Sequence, residues 1–529
     1  MPAKSKAAVA ERDISGVIAD VVVVAEKKTA TKAAPENGAL FPRFVRQFYA
    51  GSPPDELVGR TSEALCETAV TAWDLLQSRK AGSPKLRVAN VGGRTIIQIV
   101  NDDMPFLVSS VSCELERMEM GPLLVIHPVL TLQRDVDGNL IELRAGADEN
   151  FGMKKSDIAE SLMHIEVAGT SDDETIVRVT DNIKAVLSDV RVAVRDWPAM
   201  RRETGHFAAD FDGPVAGAKP ARTKEVTDFL RWLHDDHYTF LGYRKITFDG
   251  KGKDRKLHIA QQHSLGVLTK SRLMIFEGLV DGAPLPAQFA DFLDSKNLLL
   301  ILKANQRSTV HRRVHYDVVA VKIIDESGKV TGMHMLVGLF TADVYTNSPN
   351  FVPVLRNKLD RIRERVGFRK HSHDDKILQN VMENLPRDEL FETSDSQLLQ
   401  TAVGILHLQQ RPRTAVFMRS DQFERFASVL VYVPRDRFDT ALRLTIGDIL
   451  TKAFDGRLSS FYTQVTDSPL ARIHYIIATR PGHVPKVDVK ELEERIVKAA
   501  RAWTDDLRAA LIKAQGEGEG GRLADVFNH

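Results

Sequence analysis

Apolar residues recur along this chain with two different spacings, and the switches between them divide it into units. Phe41, Val45, Phe48 and Tyr49, then Leu65, Val70, Trp73 and Leu76, fall at helical intervals and predict two or three short helices up to Arg79. The β-branched run RTIIQIV (94–100) predicts a strand, and Leu107, Val111, Leu115 and Met118 then share one helical face. Asp103 is the expected N-cap of that helix, with Pro105 in its first turn and Gly121-Pro122 as its stop. LLVIHPVLTLQR (123–134), the turn Asp137-Gly138-Asn139 and LIELRA (140–145) predict a hairpin. A strand at LMHIEVA (162–168) and a long helix from about Asp173 to Asp196 complete a β-α-β-β-β-α order. An antiparallel sheet with helices on one face packs that order most simply.

Gly205, Gly213 and Gly217 with Pro214 and Pro220 predict a linker. Beyond it a helix carrying Val226, Phe229, Leu230 and Leu233 leads into a strand from Tyr238 to Phe248. Strands are expected near 298–303, 308–311, 315–324 and 333–339, with an exit helix from Val354 to Val366. In the last unit, SVLVYV (428–433) leads through Pro434, Arg435 and Asp436 into a helix whose Phe438, Leu442, Ile446, Ile449 and Leu450 share a face. Strands at 458–465 and 471–479 and a helix over 487–515 follow, one strand short of a ferredoxin-like unit; TAVFMR (414–419) is expected to complete that sheet. The fold class is therefore α+β and multidomain, built from ferredoxin-like βαββαβ units with antiparallel sheets covered by helices. The expected division is a mobile arm at 1–36 with room for one short helix, a first unit at 37–200, a linker at 201–222, a middle α/β domain with a helical exit at 223–411, a second ferredoxin-like unit at 412–515 and a glycine-rich tail at 516–529.

At 529 residues several cores are expected, and 43% hydrophobic with 27% charged residues fits ordinary globular proteins. Lys and Arg total 72 against 71 acidic residues, so no global field draws the chain to nucleic acid or an anionic membrane. No apolar run reaches membrane-spanning length, and the two cysteines, Cys66 and Cys113, support neither a disulfide framework nor a four-cysteine zinc site. A cytoplasmic location is expected.

Candidate chemistry lies in two strand-to-helix turns. At Asn101-Asp102-Asp103, helix N-terminal N–H groups can receive a carboxylate while side-chain oxygens receive an ammonium, the two charged ends of an α-amino acid. Helix capping by Asp103 competes with that reading. Pro434-Arg435-Asp436 occupies the matching place; Arg435 can hold a carboxylate through two hydrogen bonds, or pair on the surface with Asp436 or Asp439. His371, His373, Asp374 and Asp375, and His234 with His237, have ligand chemistry but no recognised metal spacing, so no metal is expected. Asp388 and Glu389 are expected to complement a helix dipole, Cys113 to be packed, and the run QRSTVHRR (306–313) to form surface ion pairs. Ser109 and Ser110 have no evident histidine partner, and no catalytic residue is assigned. No glycine-rich turn links a strand to a helix, so no cofactor is expected on this chain.

VNDDMPFLVSSV (100–111), IHPVLTLQRDVDGNL (126–140), DFLRWLHDDHYTFLGYR (228–244), VGLFTADVYTNSP (337–349), SHDDKILQNVMENLPRDELFE (372–392) and SVLVYVPRDRFDTALR (428–443) are similar to segments of the bacterial large NAD-specific glutamate dehydrogenases. The resemblance implies that the two ferredoxin-like units are ACT-type domains, which bind amino acids at domain interfaces. It also implies a homo-oligomer, or assembly with a catalytic dehydrogenase portion that uses NAD. Family members are several times longer and carry their catalytic core beyond the position of residue 529, so a regulatory and assembly region lacking that core is expected. A structural interaction module is the alternative.

Overall fold

The computed structural model describes residues 14–30, 37–57, 59–144, 156–250, 255–259, 261–270, 281–285, 287–480, 483–501 and 503–527. The expected strand end at Ala145 falls outside them.

Helix Ile14–Thr29 stands where a mobile arm is expected. It buries Val17, Val21, Val22 and Ala25, a three-to-four spacing, against helices Phe41–Tyr49 and Ser62–Leu76. Phe41, Phe44, Phe48 and Trp73 are fully buried there, with the Phe44 and Trp73 rings 5.0 Å apart. Burying rings of this size stabilises by roughly 1.5–3 kcal/mol each.

These helices cover one face of an antiparallel sheet whose order is Lys85–Val91, Arg94–Asp102, Ile158–Ala168, Val129–Arg134 and Leu140–Leu143. Pro122–Ile126 pairs with the same central strand, so the expected single strand over 123–134 is broken at His127-Pro128. The first strand escapes the sequence reading; Gly92 and Gly93, both at positive φ, turn it into its partner. Ile97, Ile99, Met163 and Ile165 face the other way, onto helices Leu107–Arg117 and Asp173–Ala209. Helices thus cover both faces of this sheet rather than one, because the chain supplies an apolar layer at each.

Helix Asp173–Ala209 is 37 residues long, about 55 Å at 1.5 Å per residue, and passes through Pro198. Val179, Ile183 and Val190 belong to the first unit's core, while Met200, Phe207 and Ala208 enter the next. The expected linker is therefore helical to Ala209, and the following helix begins at Pro220.

The middle sheet runs Leu299–Arg307, His315–Ile324, Val330–Phe340, Tyr238–Asp249 and Lys256–Ile259, all antiparallel, with Leu265–Gly266 added to Tyr238–Asp249. Helices Pro220–Trp232 and Pro353–Val366 pack on one face, helix Ala287–Asp294 on the other. Residues 308–311 are a tight turn, not a strand: Ser308 N donates to Val314 O, and His311 is at φ 69°. Helices His373–Asn384, Arg387–Glu392 and Asp395–Gln410 lead to the last sheet, ordered Ala415–Ser420, Phe426–Pro434, Leu470–Ala478 and Arg457–Gln464. The segment 414–419 does complete that sheet, pairing antiparallel with Phe426–Pro434. Helices Thr440–Ala453 and Val489–Ala499 cover one face. The helix expected over 487–515 is two helices, and the second, Trp503–Phe527, continues through the glycine-rich tail around a kink at Gly516.

Candidate functional site

The first turn is closed by arginines. Asn101 is fully buried, and its Oδ1 accepts from Arg191 Nη2 at 2.6 Å. Asp102 accepts from Arg191 Nη1 at 2.7 Å and from Arg79 Nη2 at 2.6 Å. Burial pushes the Asp102 carboxyl up, but hydrogen bonds from Arg79 and Arg191 more than offset it and leave it below the ordinary range. Arg79 also donates to Glu160 at 2.7 Å, and Arg134 donates to the same carboxylate at 2.7 Å. Glu160 is fully buried and thus faces two guanidiniums.

Asp103 is exposed, with its N–H donating to Ala159 O at 3.1 Å. It does not cap the helix. The helix starts at Leu107, after Phe106 in left-handed backbone (φ 74°, ψ 1°) with no side-chain cap, so Pro105 precedes the first turn. The Phe106 carbonyl accepts from Ser110 Oγ at 2.6 Å.

The second turn stays open. Arg435–Arg437 form a single 3₁₀ turn after Pro434, and helix Thr440–Ala453 is capped by Asp439, which accepts from Leu442 N at 2.7 Å. Arg435 and Asp436 are exposed. Arg435 Nη1 donates to Thr466 O at 3.1 Å and lies 4.0 Å from Asp467, so its neighbours come from the loop before strand Leu470–Ala478 rather than from Asp436 or Asp439.

Two arrangements were not legible in the sequence. His311, 202 residues from Ser109, lies with Nδ1 3.5 Å from its Oγ, and Ser110 Oγ accepts the His311 N–H at 2.8 Å. The serines do have a histidine neighbour, supplied by another unit. Cys113, half-buried and free, lies 3.7 Å from His311 O. Glu389 is the second case. It lies in the first turn of helix Arg387–Glu392, as expected for a residue that complements the helix dipole, but it is also buried, accepting from Arg419 at 2.8 Å and from Ser428 Oγ at 2.7 Å, while Arg419 also donates to Glu392 at 2.8 Å. Only the proximity of strand Ala415–Ser420 to helix Arg387–Glu392 reveals that pairing. Asp375 likewise pairs with Arg363 at 2.9 Å, and among the described residues no group of three or more His, Cys, Asp or Glu is placed to hold a metal ion.

Two sheet-and-helix units joined by a middle α/β unit and a helical segment define an ACT-domain chain of the glutamate dehydrogenase type: residues 44–183 match the family model "Glutamate dehydrogenase, ACT1 domain", 415–504 the ACT2 domain and 352–411 helical motif 1. The chain is 32% identical over 517 residues to the NAD-specific glutamate dehydrogenase of Halomonas elongata, covering 96% of this chain and 32% of the relative. It is 31% identical over 492 residues to that of Pseudomonas aeruginosa, covering 92% and 30%, and 26% identical over 438 residues to that of Mycobacterium tuberculosis, covering 80% and 25%. The chain belongs to the bacterial large NAD-specific glutamate dehydrogenase family, as an ACT-domain-containing region, and spans about a third or less of the length of these relatives.

Proposed function

We propose that this chain is the regulatory and assembly region of an NAD-specific glutamate dehydrogenase and that its effector is an amino acid. The parent reaction is the oxidative deamination of L-glutamate to 2-oxoglutarate, and we assign NAD to the parent's catalytic portion. The observation that carries the effector reading is the open turn at Pro434-Arg435-Asp436. Arg435 keeps exposed guanidinium donors for a carboxylate, and the exposed Asp436 offers oxygens to an ammonium. At the other turn Arg79 and Arg191 occupy Asn101 and Asp102, which leaves the Asp103 carboxylate as the accessible group. Calorimetric titration with a panel of amino acids should give saturable heat, and Arg435→Ala should weaken it about tenfold, the loss of one charge-assisted contact. Asp103→Ala should weaken it less. Absence of saturable heat from every amino acid would sink the effector reading.

The assembly half is supported by strand Arg457–Gln464, which among the described residues pairs on one side only and exposes Phe461 and Tyr462 at the sheet edge. Such an edge is a template for a second copy or a separate catalytic chain. Light scattering should report an oligomer that Tyr462→Lys dissociates; a strictly monomeric parent chain that retains no partner on co-purification contradicts this. Among the described residues no helix is long and apolar enough to cross a membrane, and we place the protein in the cytoplasm.

A further inference from the structure

Where the first unit meets the middle one, helices Leu107–Arg117 and Asp173–Ala209 and the turn Gln306–Arg313 enclose a cleft of about 360 Å³, within the range of small-ligand sites. His311 lines one side of it with Ser110 and Cys113, which it contacts, and the Phe106 and His311 rings meet at 4.8 Å. Phe106 and His311, one from each unit, both hold left-handed backbone (φ 74° and 69°), a conformation that costs a side-chain-bearing residue free energy and clusters at ligand clamps.

The charges lining the cleft do not balance. Arg117, Arg307, Arg312 and Arg313 face two carboxylates, Glu114 and Asp189, a surplus of two positive charges. Asp189 is further engaged by Lys270 and by the Thr309 hydroxyl. Glu114 takes Arg117 through Nε and Nη2, and Arg313 comes no nearer to it than 3.9 Å. Among the described residues the Arg307 side chain has no hydrogen bond or ion pair, and Arg312 Nε and Gln306 Oε1 are buried without a partner. Burial lowers the Arg313 guanidinium's pKa, and Arg117 and Arg307 lower it further, as crowded cations do.

We propose that this cleft binds a small dianion, a dicarboxylate or a phosphate monoester, whose charges are taken by Arg307 and Arg313. Guanidinium forks suit both anions. A ligand held there spans both units and ties the first to the middle one, independently of any amino acid at Arg435.

The test is calorimetry on the full 529-residue chain at fixed ionic strength, with glutarate, inorganic phosphate and acetate as probes. Glutarate or phosphate should bind saturably, the stronger of the two identifying the anion chemistry, while acetate at equal concentration should not. Arg307→Ala, which removes an exposed and unpaired side chain and so keeps the fold, should weaken binding about tenfold or more, as should Arg313→Ala. No heat from either dianion, equal heat from acetate, or unchanged affinity in Arg307→Ala overturns the proposal. Neither variant touches Arg435, so failure here and failure of the amino-acid titration are distinguishable.

Discussion

The strongest local commitments in this chain are buried charges with shared partners. Glu160 satisfies both Arg79 and Arg134 in the first unit, so Glu160→Ala would leave the buried Arg134 guanidinium without its carboxylate and Arg79 with Asp102 in place of two partners. The expected loss is about 3–5 kcal/mol, measured as a lowered unfolding transition, and it should exceed the effect of removing the exposed Asp103. Glu392 makes a pH prediction. Burial pushes its carboxyl from 4.5 up to about 7; the Arg419 guanidinium pulls it down in part, while the neighbouring Asp388, Asp421 and Glu389 carboxylates push it up again. The native state therefore holds this proton more tightly than the unfolded chain. The associated stability is fully present below about pH 4.5 and is lost as pH rises through about 7, by about 3 kcal/mol. Glu389, held well below the ordinary carboxylate range despite its burial, acts in the opposite sense and loses its contribution on acidification. Melting curves from pH 5 to 8 should show Glu392→Gln flattening the decline between pH 5 and about 7; an unchanged profile would contradict the assignment. Neither hub is readable from sequence, because a carboxylate at Glu389 signals a helix start equally well until the strand bearing Arg419 is seen beside it.

Among elements, those with a clean period were legible. The helix facing the last sheet, the strands at 426–434 and 470–478 and the completing strand at 415–420 all follow from spacing and β-branched runs. Boundaries set by packing were not. Pro198 and a glycine-rich stretch suggest that the long helix stops early, yet Met200, Thr204, Phe207 and Ala208 are buried and carry it to Ala209. Asp103 failed as a cap for a related reason: the left-handed Phe106, fixed by Ser110 and His311, sets the helix start three residues later. Close packing also decides Gly404, in helix Asp395–Gln410, where an added Cβ would come within 2.5 Å of the Phe417 ring. Gly404→Ala gains about 1 kcal/mol of helix propensity but overpacks the helix against strand Ala415–Ser420 at a cost of about 1–3 kcal/mol. A lower melting temperature is expected; a rise would mean that Phe417 moves aside freely.

For the whole molecule, the family was legible because long segments carry it, while the relation between units was not. Only the three-dimensional structure shows one helix serving two cores and a turn from the middle unit meeting the first unit's serines. Under the proposed function, this chain binds amino acids and the dehydrogenase reaction belongs to the catalytic portion of its parent. The most direct measurement takes one preparation of the purified chain, titrates it calorimetrically with amino acids, and follows NADH formation with glutamate and NAD. Saturable amino-acid heat that Arg435→Ala weakens, with no glutamate-dependent NADH, is the predicted result. Steady NADH formation, or no heat from any amino acid, would contradict it.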